Sequence, residues 1–307
     1  MAAIIEAGRL EWGIQLPIQS QSTIYVQPWE ASAGPDELAR VARALDDAGA
    51  FYVAVCDHIA IPQPLDEKMG GTWYDTIATL GWLGAQTSRT HLLSHVAVLP
   101  YREPLVTAKA WTTVDHLTGG RAILGVGAGH VEGEFDLLGA SFADRGRELD
   151  EAIPQVREAF EHEVVRGAVV KPRPARPGGP PIWVGGSSKP AMRRAARLGD
   201  GWLPQGPPEM GMRAAIDFIR AERRAHLGED RPIDLGSFTE PIHVGEATWD
   251  VGPHTLSGSA EEIAERLRRY AGLGVQHLQP RFPSRSADEL VEQVTRFGTE
   301  VWPLVVS

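Results

Sequence analysis

The chain has 307 residues and a formal net charge of -10, a length that suits one large domain and a balance that argues against a nucleic-acid partner, since no long Lys/Arg run offers a phosphate-tracking stripe. Cys56 is the only cysteine, so no disulfide can form within the chain and a reducing cytoplasm is the expected home. The N-terminal stretch has neither the basic region nor the apolar run of a signal peptide, and no segment approaches the roughly 20 apolar residues of a membrane span.

Short apolar runs alternate with amphipathic stretches along the chain. "LEWGIQLP" (Leu10–Pro17) reads as a first strand. "PDELARVARALDDAG" reads as a helix, with Pro35 near its start, apolar Leu38, Val41, Ala42 and Leu45 on one face, and Gly49 as its stop. "FYVAVCDH" (Phe51–His58) is a strand apolar on both faces. A helix over "WYDTIATLGWLGAQT", a strand over "HLLSHVAVLP" and a helix over "PLVTAKAWTTVDHLTGG" follow. "RAILGVG" is the fourth strand, and "RGRELDEAIPQVREAFEH" a helix with a kink expected at Pro154. "PIWVGG", "DGWLPQ", "PIDLGSFTEPIHVG" and "VQHLQPRF" supply four more strand regions, each followed by a helix. One of those helices opens with a capping box, Ser259 with Glu262, and is expected to close at Gly272.

Eight strand–helix pairs, with strands apolar on both faces, imply a parallel sheet covered by helices, and eight such units close a (β/α)8 TIM barrel. A doubly wound open sheet is the alternative. Residues 1–307 are read as one barrel domain, with insertions on the rim at 164–180 and 240–258.

Active residues of such a barrel stand at the C-terminal ends of its strands. Strand two ends in Asp57-His58, where the pair is either a hydrogen-bonded support or acid/base machinery. Strand three carries Ser94-His95 and ends near Tyr101-Arg102. Strand four ends in "GVGAGHVEGE", whose alternate glycines expose backbone for a ligand or simply make a tight turn. Strand five ends in "GGSSKP", where free N–H groups at a helix start suit a phosphate, or only a cap. Glu132 and Glu134 on the same rim are weak acid/base candidates. Trp73, Trp111 and Trp183 are expected in the core. Ile59, Ile61, Trp202 and Phe282 near strand ends suggest a mostly apolar small-molecule substrate.

Several motifs are absent. "GVGAGH" fails the dinucleotide fingerprint, because His130 or Glu132 falls at the third glycine position. No P-loop, no H-E-x-x-H pair and no G-x-S-x-G elbow occur, and no metal site is expected.

The segments "LPYREPLVTAKAWTTVDHLTGGRAILGVGAGHVEGEFDLLGASFADRGRELDEAI" and "PPIWVGGSSKPAMRRAARLGDGWLP", with the Asp57-His58 pair, resemble the bacterial luciferase-like superfamily, and within it the oxidoreductases that use coenzyme F420, a deazaflavin. The resemblance runs over nearly the whole chain. It implies a flavin or deazaflavin across the barrel mouth, with His58 the first choice for acid/base work and Asp57 and His130 beside the reacting centre. It places Asp57, Ser94 and His95 against the ring and a non-prolyl cis peptide at Ser94-His95. It assigns Gly127, Ala128 and Gly129 to the cofactor's tail and Gly185, Gly186 and Ser187 to its phosphate. The resemblance also implies a homodimer, for which the second and third helices (Trp82, Leu83, Trp111, Val114) offer apolar surface.

The sequence departs from the family's sugar-phosphate dehydrogenases. Pro62 stands where they carry a tryptophan, His130 where they carry a glutamate, and "PQGPPEM" lacks their phosphate-gripping lysine. Glucose 6-phosphate is therefore not the expected substrate. The reading is a hydride-transferring F420 oxidoreductase, with Arg102, Lys189, Arg193 and Arg281 as candidate cations for the coenzyme's anionic tail. An FMN-dependent monooxygenase and a non-catalytic flavin-binding barrel are the alternatives.

Overall fold

The computed structural model describes residues 3–22, 26–229 and 231–307. Eight parallel strands form its centre: β1 (Glu11–Gln15), β2 (Tyr52–Val55), β3 (His91–Ser94), β4 (Ala122–Gly127), β5 (Ile182–Gly185), β6 (Gly201–Leu203), β7 (Asp234–Phe238) and β8 (His277–Gln279). Each pairs in parallel with its sequence neighbours, and β8 closes on β1 through Glu11 opposite His277. The sheet is therefore a closed (β/α)8 barrel, and the open-sheet alternative is excluded.

The helices between the strands are α1 (Pro35–Asp47), α2 (Thr76–Gln86), α3 (Pro104–Leu117), α4 (Arg145–Glu161), α5 (Lys189–Leu198), α6 (Met212–Leu227), α7 (Ala260–Leu273) and α8 (Ala287–Arg296). Their ends follow local chemistry. Pro35 opens α1, where Glu37 reaches back to the Gly34 N–H at 2.8 Å, and Leu38, Val41, Ala42 and Leu45 turn inward. Ser259 and Glu262 form the capping box of α7. That helix runs past Gly272 and stops at Gly274, whose φ of 86° makes it the left-handed cap. Pro154 lies inside α4, which continues to Glu161.

Three bulky rings fill the lower barrel: Tyr52 of β2, Trp183 of β5 and His277 of β8. Each faces a strand residue without a side chain. A Cβ at Gly13, Gly201 or Gly236 would come within 2.6 Å of Tyr52, Trp183 or His277 respectively. Large and small positions thus alternate between neighbouring strands, as a filled barrel requires. Below them Asp234 accepts hydrogen bonds from Trp183 Nε1 and from the Ile4 and Ile5 N–H groups, which fixes the N-terminal segment across the bottom.

Residues 164–180 include a short antiparallel pair, Val164–Val165 with Ala168–Val169, and residues 240–258 a parallel pair, Ile242–Val244 with Leu256–Gly258.

Candidate active site

The C-terminal mouth of the barrel holds a cavity of about 750 Å³. Its floor is shaped by a bulge after β3. Leu93 pairs with Ile123, but Ala97 pairs with Val126, so β3 carries one residue more than β4 over that interval. The non-prolyl cis peptide lies in the bulge, between His95 and Val96. This corrects the expected Ser94–His95 position by one residue. Ser94 is fully buried, and its hydroxyl donates to the Gly125 carbonyl at 2.7 Å.

The bulge explains the glycines. A Cβ at Gly125 would overlap the Ser94 carbonyl, and Cβ atoms at Gly127 and Gly185 would stand 2.4 and 2.7 Å from the Val96 methyls. Gly129 has φ +81°, and a Cβ there would stand 2.8 Å from the Phe135 ring and a Val98 methyl. The strand glycines make room first for the protein's own Val96, and the bare backbone of Gly127, Ala128, Gly129, Gly185 and Gly186 lines the cavity around it. Ser187 is held elsewhere, donating to Gly206 O and accepting from Gln205 N, while its neighbour Ser188 caps α5 and lines the cavity. The Ser187 hydroxyl is thus engaged within the protein, while the expected phosphate contact at Gly185, Gly186 and Ser187 runs through their backbone N–H groups.

His58 stands on the cavity wall with Nδ1 2.9 Å from Glu134 Oε2. Glu134 is fully buried. Its Oε2 also accepts from the Tyr101 hydroxyl at 2.9 Å, and its Oε1 from the N–H groups of Ile59 and Ala60. Burial opposes ionisation, but the contact with His58 and the donors from Ile59 and Tyr101 overcome it and hold the Glu134 carboxyl below its usual range. The carboxylate fixes Nδ1 of His58 as the protonated nitrogen, leaving Nε2 for chemistry. Trp73 lies edge-on to the His58 ring at 4.4 Å, with the His130 ring at 5.6 Å. Partial desolvation and the neighbouring His58 lower the His130 imidazole.

Asp57 is committed to structure. Its carboxylate takes a two-pronged ion pair from Arg102 at 2.6 and 2.7 Å, the Val98 N–H at 2.8 Å and the Thr76 hydroxyl at 3.1 Å. Asp57 lines the cavity, and these bonds tie β2 to the bulge beside His58. The same pair engages Arg102, one of the candidate tail cations. Arg193 is bound by Glu222 on the outer helices. Arg145 and Arg194, not singled out from the sequence, do line the cavity. Arg145 lies over the Phe142 ring at 3.7 Å, and Arg194 bridges Asp150 and the Gly146 carbonyl.

His95 closes the centre of the mouth. Burial and the charge of Arg281 push its imidazole down to about 4, so the ring is neutral at pH 7. Its Nε2 lies 3.1 Å from the Gln205 amide nitrogen and accepts from it. Trp73, expected in the core, is a cavity residue, whereas Trp111 and Trp183 are buried. Trp202 is buried outside the barrel lumen, donating to the Gly186 carbonyl, and offers no surface to a substrate. Glu134, one of the two rim glutamates singled out from the sequence, sits in the short helix Glu132–Leu138, and its partner His58 lies 76 residues away in the chain.

Among the described residues no cluster of three or more His, Cys, Asp or Glu could hold a metal, and no helix is long and apolar enough to cross a membrane. A closed parallel barrel whose mouth joins a histidine–carboxylate dyad to a bulged third strand defines a barrel enzyme with a small-molecule site. The chain belongs to the luciferase-like monooxygenase family, whose profile matches residues 10–248, and it is an oxidoreductase of that family. It is 34% identical to the F420-dependent glucose-6-phosphate dehydrogenase of Nakamurella multipartita, over 90% of this chain and 95% of that one. It is 30% identical to the FMNH2-dependent dimethylsulfone monooxygenase of Pseudomonas fluorescens, over 76% and 78%. Among solved structures, an F420-dependent secondary alcohol dehydrogenase shares the fold with a TM-score of 0.76 at 15% identity, over 97% of this chain and 100% of that one. A monooxygenase from Streptomyces bottropensis does so with a TM-score of 0.77 at 17% identity, over 96% and 99%.

Proposed function

We propose that the protein is an F420-dependent oxidoreductase that transfers a hydride to or from a small, mostly apolar organic substrate, working as a cytoplasmic homodimer. The observation that carries this reading is the His58–Glu134 dyad on the wall of a cavity suited to a deazaflavin. The cavity has two chemically different ends. At one, His58 meets Trp73 and His130 beside Val96, Gly127 and Gly185. At the other, Arg145 and Arg194 flank Gly146 and the start of α5. A planar ring with an anionic tail fits that division, and about 750 Å³ lies within the range of cofactor sites.

When bound, the deazaflavin supplies the two-electron hydride chemistry. The protein supplies orientation and a proton. With Nδ1 held by Glu134, His58 takes a proton from a substrate hydroxyl at Nε2, and Glu134 stabilises the imidazolium that forms; in the reverse direction the same imidazolium donates. His95 and Gln205 present a fixed, uncharged polar edge at the centre. Arg145, which has no carboxylate within ion-pair distance among the described residues, is the first residue to meet the tail anion, with Arg194 beside it and exposed Lys189 at the rim.

The sequence relationship to an FMNH2-dependent monooxygenase keeps an oxygen-using reaction as the second reading. Turnover followed by deazaflavin absorbance in sealed, oxygen-free solution tests the choice: persistence without oxygen supports hydride transfer, and a strict oxygen requirement replaces it with monooxygenation. Leu83, Trp111 and Val114 are buried in the protein's own core, so the dimer surface rests on exposed Trp82, Val106 and Leu117 of α2 and α3. Sedimentation at micromolar concentration reads the assembly state.

A further inference from the structure

A second cavity of about 430 Å³ opens on the same mouth, against the ends of β1 and β8. It adjoins the first. Gln15 and Ser22 line both. Arg281 lines the second, and its charge is felt at Cys56 and His95, which line the first.

The walls of this second space show what it accepts. Its polar groups are largely occupied by the protein itself. Glu30 takes the N–H groups of Ile18 and Gln27 at 2.8 Å each. Ser284 accepts from Trp29 Nε1 at 3.3 Å, Trp249 Nε1 donates to Glu289 at 2.8 Å, and Asp250 accepts from the Gly252 N–H at 2.9 Å. What remains toward the cavity is mixed: the indoles of Trp29 and Trp249 and the rings of Pro241, Pro280 and Pro283, beside the polar side chains of Gln15, Ser22, Gln27 and Arg281. The two indoles are anchored at their nitrogens, Arg285 lies 5.3 Å from the Trp249 ring, and the prolines are conformationally fixed, so the aromatic part of the wall is stiff. Such a wall, with polar side chains beside it, suits a flat aromatic body that carries a polar edge.

We propose that this second cavity holds the non-reacting part of the substrate, a flat aromatic body of one or two fused rings, while the reacting carbon sits in the first cavity beside His58. This rests on the redox reading for the role of the occupant, but not for the binding itself.

The probe is 2-naphthol, titrated by calorimetry into the full-length protein, alone and saturated with F420. The account expects saturable binding in both cases with Kd values within about three-fold of each other, and cyclohexanol weaker by at least about five-fold, the loss of roughly one aromatic contact. Trp249→Leu and Trp29→Leu each keep the volume apolar but remove an indole face, and each is expected to weaken 2-naphthol by about five-fold or more. Two variants are used so that a folding defect in one leaves the other. Displacement of 2-naphthol by the coenzyme, equal affinity for cyclohexanol, indifference to both variants, or no saturation would each overturn the proposal. Failure of F420 to bind while 2-naphthol still binds would sink the deazaflavin reading and leave the aromatic subsite standing.

Discussion

At the scale of single residues, the assignment turns on His58 and the partners that the fold gives it. A histidine at the end of a barrel strand becomes an acid/base group only when one ring nitrogen is fixed, and Glu134 does that from a buried position with Tyr101 and two backbone N–H groups behind it. His58→Ala is expected to lower turnover by about 10²-fold or more while leaving cofactor affinity within a few-fold. Steady-state kinetics beside a cofactor titration separates the two. Collapse of cofactor binding with normal turnover of the residual complex would make His58 a binding residue. Neither Glu134 nor the Asp57–Arg102 pair could be assigned from the chain alone. A carboxylate on a rim and a carboxylate next to a histidine look alike in sequence. Burial and partners dozens of residues away turn the first into the orienting group and the second into a brace.

At the scale of elements, the strands and helices were legible because each carries its own signal: apolar runs for doubly buried strands, and Pro35, Ser259 and the terminal glycines for helix ends. The bulge after β3 has no such signal. Its extra residue is defined only by pairing with β4, which is why the cis bond was expected one residue early and why Ser94 was assigned to the ring. The glycines of β4 and β5 are the complement of that bulge. Gly127→Ala would drive a Cβ to 2.4 Å from a Val96 methyl and is expected to cost about 1–3 kcal/mol. Val96→Ala in the same chain should recover much of that loss, a coupling that thermal or denaturant unfolding of the double-mutant cycle reads directly. Strict additivity would mean that the glycine is not there for Val96. Trp73 was placed in the core for a related reason: residue type favours burial, and only the turn after Asp66–Met69 brings this tryptophan onto His58.

At the scale of the whole molecule, the barrel separates stability at its lower end from chemistry at its mouth. The lower end is closed by Tyr52, Trp183 and His277 over Asp234. Burial outweighs the three hydrogen bonds to Asp234 and pushes its carboxyl up to about 7. The folded protein therefore holds this proton over a range in which the unfolded chain, at about 3.8, has released it. A proton bound more tightly when folded makes stability fall as pH rises, here between about 4 and 7. Asp234→Asn should remove that slope from the unfolding midpoint; an unchanged slope in the variant would mean that the carboxyl is ionised throughout.

The mouth, by contrast, is where cofactor choice is made. On the proposed reading the glycine backbone and the start of α5 would serve any phosphate-bearing tricycle, so preference for a deazaflavin has to come from the anionic tail and from cations that can meet it. Arg145 and Arg194 stand at that end of the cavity, against a protein that is acidic overall. The most direct measurement is a paired equilibrium titration of the purified protein with intact F420 and with FMN, repeated with the coenzyme lacking its polyglutamate. The account predicts that intact F420 binds at least about ten-fold more tightly than FMN and that loss of the polyglutamate weakens it, more so at low salt. FMN binding as tightly as, or more tightly than, intact F420 would contradict it and give first place to the flavin monooxygenase.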